Sequence, residues 1–228
     1  MHVALIRYTP DPELTIVAAA RISTSPAQVT EHLAKLTPDR VGRQLSQLIS
    51  MGHQSPLEHA NFTFSIEGIS RVTSHQLVRH RLASVTQQSQ RFISVKGLEF
   101  VTPPTIAAVP EMRAKYVAAV HAAYELYSQM QEAGVPAEDA RYVLPSALHT
   151  NLVMTMNARE LLTTCALRLC LKSQWEIVEL FEMVKAELKK VAPHLSADLR
   201  PKCYKLTYCD EAKSCGLFPT LSEMTKPG

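Results

Sequence analysis

The stretch "HANFTFSIEGI", His59 to Ile69, decides how the rest of the chain is read. Its aromatic and β-branched side chains alternate with small polar ones, the period of a strand with one face buried. It runs straight into "SRVTSHQLVRHR", Ser70 to Arg81, where Val72, Leu77 and Val78 suit a short helix. On the N-terminal side, "HVALIRY" (His2 to Tyr8) reads as a first strand and Leu14 to Ile22 as a helix. "TPDRVGRQLSQLISMGH" predicts another helix: Thr37 can cap it, Pro38 fits its first turn, and Gly52 can end it. On the C-terminal side, "EFVTPPTI" (Glu99 to Ile106) reads as a strand ending in a Pro-Pro turn, and "LHTNLVMTM" (Leu148 to Met156) as another strand. Between them a long helix spans Pro110 to Ala133, with Met112, Tyr116, Val120, Tyr127 and Met130 on one side and Gly134 as its stop.

Two helices follow. Asn157 and Glu160 have the spacing of a capping box. In the second helix Trp175, Val178, Phe181, Val184, Leu188 and Val191 mark an apolar stripe. Glu176, Glu179 and Glu182 precede Lys185, Lys189 and Lys190, an order that complements the helix dipole and reads as a solvated face. The expected fold class is α+β: a single domain with a largely antiparallel sheet flanked by helices.

The chain has 228 residues, 46% of them apolar, enough for one core, and a net charge of +3. That mild positive balance is not the strong bias of a dedicated nucleic-acid binder. No run of about 18 apolar residues suggests a membrane span. The N-terminus lacks the pattern of a signal peptide, and an odd number of cysteines, five, argues against a paired disulfide scaffold. A cytoplasmic setting is therefore expected.

The basic residues concentrate in "RHRLASVTQQSQR", Arg79 to Arg91, which has no acidic residue. Guanidinium groups hold phosphate oxygens through paired, charge-assisted hydrogen bonds. The intervening hydroxyls and amides can read a polar heterocycle. By residue chemistry alone this is an anion or nucleotide site, or a surface turn whose arginines pair with carboxylates. In "NARELLTTCALRLC", Asn157 and Arg168 share a helix face, with Leu161 and Thr164 between them. Arg168 sits among apolar residues and so requires a partner. His53, Glu58 and His59 lack zinc-site spacing. Cys203, Cys209 and Cys215 stand six residues apart in the tail, and with Cys170 they make a four-thiolate metal site conceivable, against free thiols.

Together these segments resemble the flavin-dependent thymidylate synthases. "RHRLASVTQQS" fits the family signature of Arg-His-Arg, seven residues, then Ser89. "QLVRHR", "SPLEHANFTF", "RYVLP" (Arg141 to Pro145), "NARELL…LR" and "QWEI" follow the family in order, over roughly Val3 to Pro193. The resemblance implies reductive methylation of dUMP to dTMP. 5,10-Methylenetetrahydrofolate would be the carbon donor, FAD the redox cofactor and NADPH the reductant, in a homotetramer with sites at subunit interfaces. It implies neither a nucleic-acid nor a membrane partner, and no resident metal. The competing expectation is a non-catalytic nucleotide or RNA binder that uses the basic segment.

Residue by residue, the resemblance assigns dUMP to Gln76, Arg79, Gln87, Gln88, Ser89, Gln90, Arg91, Arg141 and Arg168. It assigns FAD to Ser55, Arg79, His80, Arg81, Gln87, Asn157, Arg159 and Thr163. Arg168 would be catalytic, favouring ionisation of uracil N3, with no cysteine nucleophile. Thr86 and Gln87 stand where the family often has an Asn-Glu pair, and Thr163 where a larger polar side chain contacts the flavin. The domain is expected over residues 1–200, with a cysteine-containing tail over 201–228.

Overall fold

Strands form where the alternation demands them. In the computed structural model, which describes residues 1–93, 95 and 97–225, the strands are β1 (His2–Tyr8), β2 (Asn61–Ser70), β3 (Ser84–Gln87) and β4 (His149–Asn157). They form one sheet in the order β1-β2-β4-β3. Antiparallel register is visible in Thr9 N–H donating to Asn61 O, in Ala158 N–H donating to Ala60 O, and in Arg71 N–H donating to Leu148 O. The class is α+β, as expected.

In β4, Thr150, Leu152, Met154 and Met156 are buried at every second position. In β2 the inward set Phe62, Phe64, Ile66 jumps to Ile69. The cause is Gly68, whose φ of 69° only glycine adopts without strain. Its amide leaves the ladder and donates to Asn151 Oδ1 at 3.0 Å. The register is also tied by a 2.9 Å hydrogen bond between the Thr63 and Thr155 hydroxyls. Thr155→Val is expected to cost about 0.5–1.5 kcal/mol in denaturant unfolding. A change below about 0.2 kcal/mol would mean that the pair is fully exchanged for water.

The contacts divide the chain into two compact units, with the boundary falling within β2 and β4. One comprises Met1–His2, Ser65–Arg79 and Val85–Val153. It holds α4 (Arg71–Leu77), α5 (Pro104–Ala107), α6 (Pro110–Glu132) and α7 (Ala137–Ala140). The long helix α6 buries only Val120 and Tyr127 of the expected stripe, and Met112 is exposed. Its tyrosines are tied to backbone instead: the Tyr116 hydroxyl donates to Val101 O, and the Tyr127 hydroxyl accepts from Val95 N. The strand expected over Glu99–Ile106 reduces to a single bridge between Phe100 and Leu148. Pro103 and Pro104 lack the N–H groups needed to continue a ladder, and Pro104 opens α5 instead.

The second unit comprises Val3–Phe64, His80–Ser84 and Met154–Gly228. Its helices are α1 (Pro12–Ile22), α2 (Val29–Lys35), α3 (Pro38–Met51), α8 (Ala158–Arg168), α9 (Trp175–Lys189), α10 (Pro193–Asp198), α11 (Cys203–Leu206) and α12 (Leu221–Met224). A 3-10 turn spans Ser55–His59. Helix α1 packs on α2, α3 and that turn, and α8 packs on the turn and α9. Ile16, Leu45, Leu57, Phe62, Phe181 and Val184 lie in the core. Helix α3 ends as expected at Gly52, which has φ 78°. Thr37 occupies the cap position but makes no side-chain cap bond.

The apolar face of α9 is Ile177, Leu180, Phe181, Val184 and Leu188, not the stripe that begins at Trp175. Gln174 caps the helix by accepting from Ile177 N–H, which puts Trp175 at the first position. At about 100° per residue, Trp175 then lies opposite that face and is 37% exposed. Glu176, expected on the solvated side, is buried in the first turn, where free backbone N–H groups favour a negative charge. No helix among the described residues is long and apolar enough to cross a membrane.

Candidate functional site

The Arg-His-Arg segment does not fan around a helix end. Helix α4 stops at Leu77 and Val78 is its C-cap, so Arg79, His80 and Arg81 lie on departing chain. Arg79 and Arg81 are exposed, and His80 turns inward with a side chain only 8% exposed. In the second unit, the Arg168 Nε–H donates to His80 Nε2 at 2.9 Å. An arginine Nε can only donate, so the acceptor is His80 Nε2 and the ring proton sits on Nδ1. Nδ1 lies 3.1 Å from the Thr164 hydroxyl, which donates to Glu160 Oε1 at 3.2 Å. A directional chain therefore runs Arg168 to His80 to Thr164 to Glu160.

The electrostatics agree with this direction. Burial, and then the charge of Arg168, hold the His80 pKa below the usual histidine value. Burial pushes the Glu160 carboxyl up, and the Thr164 hydroxyl pulls it partly back. A neutral imidazole can accept from Arg168, whereas an imidazolium would repel it.

Glu160 and Thr164 extend the site beyond the residues that the family resemblance assigns. Glu160 reads from sequence as half of a capping box, yet only the first half forms: Asn157 Oδ1 accepts from Glu160 N–H at 2.8 Å. The Glu160 side chain goes to Thr164 instead. A signal was present, since Glu160, Thr164 and Arg168 stand four apart on one face of α8.

The flavin candidates of this unit are more dispersed. Ser55 is exposed in the 3-10 turn, and Arg159 pairs with Glu58 across that turn and α8. Thr163 donates back to Arg159 O and lines a groove of about 540 Å³ with Leu162, Leu167, Arg200 and Lys202. Asn157 spends its oxygen on the cap and keeps its NH2 group. Hydroxyl, amide and guanidinium donors at accessible positions are chemistry that suits a diphosphate-bearing cofactor.

In the first unit the nucleotide candidates fall on two sides of β3. Gln87 ends β3 and Gln88 follows it, and the two residues line different cavities. Gln87 lines a cavity of about 440 Å³ together with Arg71, His75 and Gln76. Its Nε2 donates at 3.0 Å to both Ser74 Oγ and Thr150 Oγ1. Gln88, Ser89 and Gln90 line a different cavity, of about 610 Å³, with His149 and Asn151. Arg91 is exposed and paired with Glu138, and Arg79 contacts His75 Nε2 at 3.3 Å. Arg141 donates to Glu138 O at 3.0 Å.

Arg71 is a further residue that sequence reasoning missed. Its Nη1 is buried and has no hydrogen-bond partner among the described residues. Burial, and then the charge of Arg141, lower its pKa. A buried guanidinium N–H left without a partner, in the positive field of a second arginine, is chemistry that suits an anion. In the sequence Arg71 looks like an ordinary first-turn residue.

Residues 4–194 match the family described as "Thymidylate synthase complementing protein". The flavin-dependent thymidylate synthase of Geobacter sulfurreducens is 44% identical over 218 residues, covering 95% of this chain and 94% of that one. The flavin-dependent thymidylate synthase of Clostridium tetani is 39% identical over 232 aligned positions, covering 95% and 93%. Among solved structures, a UMP/dUMP methylase from Streptomyces cacaoi bound with 5-Br dUMP superposes with a TM-score of 0.78 at 25% identity, covering 86% of this chain and 93% of that one.

Proposed function

We propose, from the premise that this chain belongs to the flavin-dependent thymidylate synthase family, that it converts dUMP to dTMP as a cytoplasmic homotetramer. Residues 1–200 would form the catalytic domain and 201–228 its tail. 5,10-Methylenetetrahydrofolate is the carbon donor and NADPH the reductant, and FAD, when bound, supplies the redox chemistry. The observation that carries this reading is Arg168 held by a neutral His80. A guanidinium fixed in plane and half-buried stabilises the anion left when uracil N3 loses its proton. That raises electron density at C5, the carbon that must attack.

Other residues of this chain would bind and orient the substrate and cofactor. Arg71 and Arg141 offer the anion seat that suits the dUMP phosphate. Gln76, Arg79, Gln88, Ser89, Gln90 and Arg91 supply further donors for the nucleotide. Gln87 stands where a carboxylate is common in the family; its NH2 already engages two hydroxyls, so its oxygen is the atom left to accept from a ribose or flavin group. Ser55, Arg79, Arg81, Asn157, Arg159 and Thr163 would hold FAD, with His80 setting the position of Arg168.

The assay is dTMP formation from dUMP with FAD, NADPH and methylenetetrahydrofolate, using the yellow reconstituted protein. Turnover that requires all four components is expected. Salt-sensitive nucleotide or RNA binding without turnover would overturn the assignment.

A cysteine nucleophile is not needed. Cys165 is fully buried in α8, and burial holds its thiol protonated far above neutrality. Cys165→Ala is expected to leave kcat within about threefold, and a loss beyond about a hundredfold would restore a covalent cysteine route.

The pH dependence follows from His80. Protonation places a cation against Arg168 and removes the acceptor for its Nε–H. Because the His80 pKa is depressed, activity should hold as pH falls to about 6.5 and be lost only below that value. The same sign applies to stability, since the unfolded chain takes up this proton first. An acid limb in kcat lying above about pH 7 would show that another group controls the rate.

A further inference from the structure

The tail cysteines have no part in the reaction proposed above. Cys203, Cys209 and Cys215 come from the segment beyond residue 200, and Cys170 comes from the loop just after α8. All four line one small cavity of about 10 Å³. That is about the room one water-sized sphere needs. All four are free thiols. Local structure brings them there: Cys203 opens α11, Cys209 bridges Thr220, and Gly216 (φ 95°) turns the chain beside Cys215.

We propose that Cys170, Cys203, Cys209 and Cys215 form a tetrahedral thiolate site for a structural zinc ion that clamps the C-terminal tail to the end of α8. Four cysteines among the residues lining one small cavity suit Zn²⁺, which takes four thiolates in closed structural sites. Binding releases four thiol protons to solvent and forms four Zn–S bonds, with no change of oxidation state. The site then carries a net charge of −2. Lys172 and Lys202 line the same cavity, as do Asp210 and Glu211. Lys202 is itself positioned by Asp210 at 2.8 Å and Glu211 at 3.3 Å.

Among the described residues no group of three or more His, Cys, Asp or Glu side chains is placed to hold a metal ion as the chain stands. Coordination therefore draws the thiolates inward from the cavity wall. The element carrying Cys203 is a single helical turn, and Thr207 just after it has φ 63°, so little regular structure resists that closure. The six-residue spacing in the tail does not resemble a zinc ribbon because the fourth ligand comes from far upstream. Cys170 lies two positions beyond Arg168, so the clamp fixes the helix end that presents this arginine. The proposal is independent of the thymidylate synthase reading.

The test is metal analysis of the full chain, produced in zinc-supplemented medium and purified without chelator in reducing buffer. About one zinc per chain is expected, lost at least tenfold in Cys203→Ser and Cys209→Ser and retained in Cys165→Ser. Cys215 is exposed, so Cys215→Ser tests the site without disturbing packing. In the flavin-free protein, cobalt should give the visible bands of a tetrahedral thiolate complex, and this variant should lose them. Less than about 0.1 zinc per chain after incubation with zinc chloride, unchanged zinc in Cys209→Ser, or tail thiols found paired as disulfides would each overturn the proposal.

Discussion

Arg168→Ala is expected to lower kcat for dTMP formation by about 10²–10³-fold, the cost of removing one preorganised group that stabilises developing charge. FAD binding, read from flavin absorbance after gel filtration, should persist, because the arginine acts on the uracil ring. Arg168→Lys keeps the positive charge but lacks the planar fork and the Nε–H that donates to His80 at 2.9 Å. It should recover only a small part of the rate. The acid limb assigned to His80 should weaken in both variants, since the like-charge or hydrogen-bond partner of the imidazole has changed. Turnover within about threefold of wild type in Arg168→Ala would show that another group carries the ionisation of N3.

The second large effect is expected at Arg71. Arg71→Met preserves much of the side-chain volume while removing the guanidinium and its orphaned buried N–H. In the ligand-free protein this substitution should be neutral or slightly stabilising, because it relieves the repulsion with Arg141. With substrate, one lost charge-assisted contact of about 1.5–3 kcal/mol predicts a KM for dUMP raised about 10–100-fold, with kcat little changed. A seat for an anion thus predicts opposite signs for stability and for binding. If Arg71→Met both destabilises the apo protein and leaves KM unchanged, Arg71 is structural and the phosphate lies elsewhere.

Much of this architecture was legible because it depends on short-range periodicity. The inward positions of β4 follow strict alternation from Thr150 to Met156. Gly52 ends α3 because its left-handed backbone angle suits glycine. Arg168 could be singled out because a charged side chain within an apolar helical series must have a partner. The elements that local sequence misplaces depend on what packs against them. The Glu99–Ile106 segment has strand-forming residues, but its prolines leave one bridge to Leu148. Trp175 is apolar, yet the cap at Gln174 sets a helical phase that points it away from the core.

The site shows the same division. By itself the sequence determined the α+β class, the order of the family's motifs and the residue types able to hold an anion, since these depend on neighbours a few positions apart. Only the tertiary structure decided that Glu160 serves Thr164 and His80 rather than a capping box. It also separated Gln87 from Gln88 into two cavities, and buried the Nη1 of Arg71 without a hydrogen-bond partner among the described residues. It brought Cys170 to the three tail thiols. The physical reason is common to all four. Each depends on the direction in which a side chain leaves a folded backbone and on charges far away in the chain, and neither is encoded in local spacing.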